Sequence, residues 1–195
     1  MLRFIEGVGR NVIPFGATHG QRLLFATVLD SNEAAFADVN LADESKDRLV
    51  RLTIADVQGH AHSMVLASGP NTVATAWLEA EADGSNALRN QRLRVAIRDP
   101  ESFAIVAELQ PETDILDGLS AYGVGAVYCH DRYVVFWHGI DETFDALSLS
   151  EDGQVLRKEE HASPRGSNFR PRGVCTDDGI AIVLSGGVAT ASCAP

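Results

Sequence analysis

Two histidines separated by one residue, His60 and His62, are the first group in this sequence that could do chemistry. Side chains at positions i and i+2 of a strand point to the same face, so both imidazoles could bind one metal ion. His138, Glu79 or Asp141 would have to supply a third ligand. An HxH pair on its own does not identify a metal site. We therefore predict no bound metal, and His60 and His62 are the candidate ligands if there is one.

The histidines also suit acid/base catalysis. Imidazole titrates near neutral pH, so His62 and His138 are candidates for the general acid and the general base. Tyr122 could be the partner acid and hydrogen-bond donor, and Glu79 or Asp141 could orient an imidazole ring. The sequence therefore predicts a catalytic set formed by His62, His138 and Tyr122.

Two arginines lie close together in the stretch "FRPRG". Guanidinium groups bind carboxylates and phosphates through paired hydrogen bonds, so Arg170 and Arg172 could clamp an anionic ligand. The alternative is that both form surface ion pairs with the abundant aspartates and glutamates. Together with Asn11, Glu79 and Asp141, the two arginines make up the predicted substrate-binding set.

These residues are far apart along the chain, so the fold must bring them together. The plainest structural element is the hairpin "AVYCHDRYVVFWHG", residues 126–139, in which two apolar runs flank a polar turn at 129–132. Helical periodicity can be argued only for residues 32–41 and 86–97. The second of these contains "RNQRLRVAI", whose alternation favours a strand. The chain is therefore predicted to be predominantly β.

Hairpins of this kind recur along the chain. The stretch "GATHGQRLLFATVLD" (16–30) overlays "VYCHDRYVVFWHGID" (127–141) without a gap, which puts Phe25 on Phe136. Steps of 51, 60 and 47 residues relate the equivalent positions of four hairpins, which are Ala26, Trp77, Trp137 and Leu184. That spacing is typical of one four-stranded blade of a β-propeller.

The third repeat carries the stretches "DRYVVFW" and "SEDGQVL". It resembles the Y-x-V-x-W … D-G blades of bacterial β-propeller repeat proteins, and this resemblance covers one blade well and the others weakly. The expected fold is all-β, a four-bladed propeller forming one domain over residues 1–195. Its blades span about 10–58, 59–117, 118–163 and 164–195, and an N-terminal strand at 2–8 closes the ring. A β-sandwich or barrel is the alternative.

The propeller prediction implies where a site would lie. Loops that enter the first strand of each blade and loops that leave the second strand gather at one face, around the central channel. Because these loops differ between repeats, they suggest one asymmetric site. The repeat places there the candidate residues Asn11, His60, His62, Glu79, Tyr122, His138, Asp141, Arg170 and Arg172. In contrast, His19 and His130 occupy the opposite hairpin turns and are predicted to be hydrated surface residues.

Composition limits the partners. The 195 residues include 16 Lys and Arg against 27 Asp and Glu, a formal net charge of −11. This charge opposes binding to nucleic acids and to anionic membranes, so a small-molecule partner is expected and the oligomeric state is left open. No apolar run is long enough to span a bilayer.

Cysteines and cofactor motifs give further limits. Cys129, Cys175 and Cys193 show no spacing typical of a disulfide framework, so we expect buried thiols and a reducing cytoplasm. The chain contains no nucleotide-binding glycine loop, no G-x-S-x-G motif and no calcium loop. No cofactor is therefore predicted.

The resulting functional prediction is an enzyme that needs no cofactor. It would act on a small molecule by histidine-mediated proton transfer at the channel mouth, as a lyase, isomerase or cyclase. The substrate would be anionic if the two arginines bind it. One alternative is a non-catalytic propeller module that binds a carbohydrate or a protein. Another is a metal-dependent hydrolase that uses His60 and His62.

Overall fold

The computed structural model is built almost entirely of antiparallel strands. It describes the residue ranges 15–30, 33–54, 59–82, 88–111, 123–138, 143–162, 171–184 and 187–192. Within these ranges one short 3-10 helix, Glu44–Lys46, is the exception to the β structure. None of the helices described is long and apolar enough to cross a membrane. The prediction of an all-β chain is confirmed.

The strands form four sheets, and in each sheet neighbouring strands follow chain order. Sheet 1 consists of β1 (Phe15–His19), β2 (Arg22–Asp30), β3 (Glu33–Asn40) and β4 (Arg48–Thr53). Sheet 2 consists of β5 (Gly59–Ser68), β6 (Val73–Ala82), β7 (Leu88–Arg98) and β8 (Ile105–Leu109). Sheet 3 consists of β9 (Val124–Cys129), β10 (Arg132–His138), β11 (Thr143–Leu149) and β12 (Val155–Ala162). Sheet 4 consists of β13 (Arg172–Thr176), β14 (Gly179–Leu184) and β15 (Gly187–Ser192).

Tight turns make the predicted hairpins. His130 and Asp131 join β9 to β10 with φ angles of 48° and 59°. Positive φ at both central residues is typical of a type I′ turn, whose twist matches that of the flanking strands. Gly153 has a φ of 86° in the turn between β11 and β12, a conformation that glycine adopts at little cost. Both hairpins predicted around residues 130 and 153 are therefore confirmed.

The register of the repeat needs a correction. His19 pairs with Arg22, whereas Cys129 pairs with Arg132, so the structural equivalent of His19 is Cys129 rather than His130. The overlay of Phe25 on Phe136 is therefore off by one residue. A slip of one residue reverses the face of every side chain in a strand. The hairpins do recur. The side chains of the first hairpin, however, point to the opposite faces of the sheet from those that the overlay predicts.

Each sheet packs against the next through a buried apolar cluster. The first cluster joins sheets 1 and 2 and includes Leu24 and Trp77. The second cluster joins sheets 2 and 3 and includes Trp137, and the third joins sheets 3 and 4 and includes Phe136. Successive strand residues point to opposite faces, so Trp137 and Phe136 enter different clusters. The unbroken apolar run in β10 reflects a strand that is covered on both faces.

The first strand of each sheet lies closest to the neighbouring sheets. The most extensive contacts between sheets involve β1 and β2 with β5, then β5 with β9, and then β9 with β13. Sheets stacked side by side with their first strands at the inside give a propeller-like arrangement. Among the described residues the sheets do not close into a ring. The predicted closing strand at residues 2–8 lies outside the described residues.

The outermost strands expose apolar side chains to solvent. Ile105 and Val106 on β8 are 48% and 59% exposed, and Val155 and Leu156 on β12 are both 53% exposed. Charged residues follow on the same strands, as at Glu108. These strands have a neighbour on one side only within their sheets, which makes them edge strands.

A disulfide bond links two sheets. Cys129, at the end of β9, is bonded to Cys175 in β13, and their Cα atoms are 5.2 Å apart. The expectation of buried thiols is therefore wrong for this pair, and Cys175 is also exposed. Pairing between residues 46 positions apart on neighbouring sheets depends on tertiary structure, so the spacing of the cysteines could not show it. Cys193 lies outside the described residues.

Candidate functional site

Four of the predicted site residues lie outside what the structure describes. Asn11, Tyr122, Asp141 and Arg170 all fall in ranges that are not described. His60 and His62 lie within β5 and His138 is the last residue of β10, so all three belong to strands and not to the loops in which the repeat placed them. The role of His60 and His62 as metal ligands stays a prediction.

Arg172 is the first residue of β13 and pairs with Val183 of β14. Its side chain is exposed, so it is accessible to solvent at the start of the strand. Its role as an anion clamp with Arg170 stays a prediction.

Glu79 is the predicted site residue that the structure describes in most detail. It lies on β6, where it pairs with Ala61 of β5 and with Arg92 of β7. Directly paired residues have their side chains on the same face of a sheet. Ala61 is buried in the cluster between sheets 1 and 2, so Glu79 belongs to the face of sheet 2 that is directed towards sheet 1.

Glu79 takes part in a group of polar side chains centred on Arg94, which we call the Arg94 cluster (Glu79, Arg94, Glu108 and Gln110). Nη1 of Arg94 lies 3.6 Å from Oε2 of Glu79 and donates a hydrogen bond of 2.9 Å to Oε1 of Gln110. Nη2 donates to Oε1 of Glu108 at 2.5 Å. The side chains of Arg94, Glu79 and Glu108 are 23%, 14% and 34% exposed, so water and small solutes can reach the cluster.

The Arg94 cluster borders a buried tryptophan. Trp77 of β6 pairs directly with Arg94 of β7, which places both side chains on the same face of the sheet. Trp77 is 1% exposed and packs in the cluster between sheets 1 and 2. Within the described structure, Nε1 of Trp77 and Nε of Arg94 are buried N–H groups without a hydrogen-bond partner. Nε of Arg94 is therefore an unused donor in a side chain that already contacts carboxylate and amide oxygens.

Sheet 3 repeats this arrangement in part. Trp137 of β10 is 0% exposed and pairs with Asp145 of β11, which in turn pairs with Glu160 of β12. Both tryptophans thus sit on the second strand of their sheet, opposite a charged residue on the third strand. The charge differs, because the partner is Arg94 in sheet 2 and Asp145 in sheet 3.

Sequence reasoning found Glu79 but missed the other members of the cluster. Arg92 and Arg94 alternate with Leu93 and Val95 along β7, so the sequence already showed one polar and one apolar face for this strand. The alternation predicts a strand with one polar face, but it does not indicate that this face forms a site. Glu108 and Gln110 join through the pairing of β8 with β7, which the sequence does not show.

The metal candidates also differ from those predicted. Three side chains with metal-binding atoms, Cys129, His130 and Cys175, lie together in the described part of the chain, and these atoms are within 4.8 Å of one another. His130 was predicted to be a hydrated turn residue. It does lie in the turn and is exposed, but its ring also reaches the neighbouring sheet.

Comparison with known proteins gives a fold but no family. No family model matches this chain, and no curated protein sequence matches it. A mutant of the Aleuria aurantia lectin in complex with α-methyl-L-fucoside is similar in structure, with a TM-score of 0.54 and 10% sequence identity. A second structure of this lectin, described as a six-bladed β-propeller with a novel mode of fucose recognition, has a TM-score of 0.53 and 7% identity. Each match covers 89% of this chain and 54% of the lectin, so the chain spans about half the length of these lectins.

These similarities support a propeller-like fold and correct the functional prediction. The interpretation as an acid/base enzyme with His62, His138 and Tyr122 is not favoured, because the similar structures are fucose-binding lectins. They agree better with the alternative of a non-catalytic, carbohydrate-binding propeller. The prediction of a small-molecule partner agrees with the sugars bound by those lectins.

Proposed function

We propose that this protein is a non-catalytic carbohydrate-binding module and that its sugar site includes the Arg94 cluster. The observation that carries the proposal is the shared fold, which extends over 89% of the chain in fucose-binding lectins. The low sequence identity transfers no individual residue from those lectins. The site is therefore argued from this chain alone.

The Arg94 cluster has the chemistry that a sugar requires. Each sugar hydroxyl both donates and accepts hydrogen bonds, so it can pair with carboxylate oxygens and with N–H groups at once. Glu79, Glu108 and Gln110 supply acceptor oxygens, and Arg94 supplies donors from its rigid guanidinium plane. Nε of Arg94 has no partner within the described structure, so a sugar oxygen that reaches it would satisfy a buried donor.

The charge of the cluster favours a neutral ligand. The four side chains of the cluster include two carboxylates, of Glu79 and Glu108, and one cation, Arg94, in a protein of net charge −11, and the exposed Arg92 lies opposite Glu79 on the same face. An anion would be repelled by this surplus of negative charge. We therefore propose an uncharged monosaccharide or a neutral glycan end as the ligand.

For the architecture we propose a ring of four blades within one domain, in which residues 2–8 form the outer strand of sheet 4. Three of the sheets have four strands, whereas sheet 4 has three among the described residues. An additional strand at this position would give the fourth sheet the same number of strands as the others.

The sugar proposal is tested by isothermal titration with a panel of neutral monosaccharides that starts with L-fucose. We expect saturable binding by the wild-type protein. Glu79→Gln and Arg94→Lys should each weaken the affinity about tenfold, because the first removes a charged acceptor and the second keeps the charge but removes the planar guanidinium with its Nε–H donor. Arg157→Ala is the matched control, since Arg157 is an ion-paired arginine with 58% exposure on the outer strand of sheet 3.

Circular dichroism of each variant separates loss of binding from loss of the fold. A folded wild-type protein that binds none of the sugars would refute the proposal. Binding that Glu79→Gln and Arg94→Lys leave unchanged would refute the assignment of the site.

A further inference from the structure

We infer that Cys129, His130 and Cys175 form a zinc site when the disulfide is reduced. The first observation is the closeness of the three residues. Their candidate ligand atoms lie within 4.8 Å of one another. A tetrahedral Zn²⁺, with Zn–S of about 2.3 Å and Zn–N of about 2.0 Å, separates its ligand atoms by roughly 3.5–3.8 Å. The three residues can therefore surround one metal ion after a small separation of the sulfurs.

The second observation is the orientation of the histidine. Nε2 of His130 lies 3.0 Å from the backbone carbonyl oxygen of Thr176 on the neighbouring sheet. A carbonyl oxygen only accepts hydrogen bonds, so Nε2 must carry the proton. Nδ1 of the neutral ring then keeps the lone pair that a metal needs. Metal-binding histidines usually donate their other ring N–H to a carbonyl or carboxylate in this way.

The third observation is the rigidity of the frame that holds the ligands. Cys129 ends β9, and His130 follows it in a two-residue turn whose left-handed φ angles restrict the backbone. Cys175 lies in β13, which packs next to β9. The site thus joins two neighbouring sheets at the turn end, and His130 and Cys175 are exposed to a reductant and to metal ions.

The conversion balances as follows. A dithiol reductant transfers two electrons and two protons to the Cys129–Cys175 disulfide and is itself oxidised to a disulfide. The S–S bond breaks and leaves two thiols. Zn²⁺ binding then releases the two thiol protons and forms two Zn–thiolate bonds, with the His130 imidazole as third ligand and water as the fourth. The oxidised protein offers no thiolate and cannot bind the ion in this way.

The experiment compares oxidised and reduced protein in a Cys193→Ser background, so that the remaining cysteine cannot act as a ligand. A phosphine reductant opens the disulfide, and Zn²⁺ is titrated in competition with a chromophoric chelator. Co²⁺ serves as the spectroscopic probe, because thiolate ligands give a charge-transfer band in the near ultraviolet. We expect one ion per reduced chain, two thiolate ligands in the Co²⁺ spectrum and no comparable binding by the oxidised protein.

Two histidine variants keep both cysteines. His130→Ala should weaken Zn²⁺ binding by at least about 10- to 100-fold. Loss of a residue that only hydrogen-bonds to a metal ligand already has an effect of this size, and His130 is itself a proposed ligand. His19→Ala is the matched control, because His19 sits at the corresponding hairpin end of sheet 1 and bonds to Ser68 across sheets at 2.8 Å. Circular dichroism with and without Zn²⁺ monitors the fold. Three results would overturn the inference. The first is Zn²⁺ binding by His130→Ala that equals the wild type, and the second is equal binding by the oxidised protein. The third is a reduced protein that binds no Zn²⁺, whether or not it is folded.

Discussion

The hydroxyl group of Tyr133 shows how one side chain can fasten two sheets. It donates to the carbonyl oxygen of Thr72 at 2.5 Å and accepts from the backbone N–H of Gly69 at 3.1 Å. Both partners lie in the turn between β5 and β6, whereas Tyr133 belongs to sheet 3. Burial is the main cause that raises the pKa of Tyr133 to about 12. The neutral phenol is therefore part of the contact between sheets 2 and 3.

Replacement of Tyr133 by phenylalanine should lower the free energy of unfolding by about 1 kcal/mol, because the hydrogen bonds of the buried hydroxyl group are lost while the Gly69 N–H and the Thr72 carbonyl oxygen keep their bond to each other. The folded pKa of about 12 lies above the unfolded value of about 10, so the contribution is complete below pH 10. It disappears as the pH rises from 10 to 12. Urea unfolding at pH 8 and at pH 11, followed by tryptophan fluorescence, measures both effects.

Tyr128→Phe is the control, since the Tyr128 ring packs against Tyr133 with centroids 5.0 Å apart but the Tyr133 hydroxyl contacts stay in place. A Tyr133→Phe variant that is as stable as Tyr128→Phe at pH 8 would show that these hydrogen bonds contribute nothing to stability.

Residue identities predicted burial better than partnership. The apolar Tyr133, Val135 and Trp137 of the sequence motif are all 0% exposed, as the strand pattern indicated. The disulfide and the contact of His130 with Thr176 were not predicted, because both connect separate sheets. Such partners depend on how sheets stack, which no local pattern specifies.

At the scale of the strand, ion pairs hold the first two sheets together. The Asp38 carboxylate, 3% exposed, accepts hydrogen bonds from Arg22 of β2 at 2.8 Å and from Arg48 of β4 at 2.6 Å. Arg22 also donates to the carbonyl oxygen of Pro100 in the turn after β7, at 2.8 Å, and pairs with Glu101. Burial alone would raise the pKa of Asp38, but the two arginines outweigh it and the pKa is lowered.

Asp38→Asn should destabilise the protein by roughly 2–3 kcal/mol at pH 7, because it removes the buried carboxylate that Arg22 and Arg48 share and leaves the exposed Glu101 as their remaining acidic partner. The pKa of Asp38 is lower in the folded protein than in the unfolded chain, where it is about 4. The contribution of Asp38 to the free energy of unfolding is therefore present above a pH of about 4. It is lost as the pH falls through the folded pKa. The stability difference between wild type and variant should therefore shrink in acid, which urea unfolding at pH 7 and below pH 4 would show.

The exposed Asp177, in the turn between β13 and β14, provides the control variant Asp177→Asn. A stability difference for Asp38→Asn that stays constant down to the lowest pH would contradict the linkage to the carboxylate.

Strands and turns were largely predictable from the sequence, but their register was not. Apolar alternation and turn residues located the hairpins around residues 20, 130 and 178, and the structure contains all three. The comparison of the repeats assumed that Phe25 and Phe136 are equivalent. The paired residues flanking the turns show a shift of one position. Turn geometry, and not the match of aromatic residues, determines which face a side chain occupies.

For the molecule as a whole, sheet 2 connects two apolar clusters. It contributes Trp77 to the cluster with sheet 1, and Leu78 and Val95 to the cluster with sheet 3. Loss of either cluster exposes one face of the same strands, so neither sheet interface can be lost without weakening the other. Sheets 1 to 3 should therefore unfold in one cooperative transition.

Single-tryptophan variants test this cooperativity. Trp137→Phe leaves Trp77 as the probe between sheets 1 and 2, and Trp77→Phe leaves Trp137 as the probe between sheets 2 and 3. In each variant, the fluorescence transition in urea should coincide with the transition seen by circular dichroism. Because both techniques are applied to the same variant, the destabilisation caused by the substitution affects both transitions equally. Fluorescence and circular dichroism midpoints that separate in either variant would show that the sheets unfold independently.

The overall architecture was predicted more completely than the function of the protein. Repeat length and strand pattern indicated a propeller, and the structure shows stacked antiparallel sheets with their first strands innermost. The candidate site was predicted only at Glu79, because Arg94, Glu108 and Gln110 come together through strand pairing. The predicted cytoplasmic location stays a prediction, and disulfides such as Cys129–Cys175 are more typical of oxidising compartments.

The exposed apolar residues of the outer strands have a consequence for concentrated solutions of the protein. Val155 and Leu156 open β12, and Arg157, Lys158 and Glu159 follow directly. Edge strands of two molecules could add to one another through their free backbone groups, and charged side chains oppose this association. The net charge of −11 adds mutual repulsion between molecules, which salt screens and acid neutralises. Aggregation should therefore be slowest in a buffer of low ionic strength at a pH well above the isoelectric point.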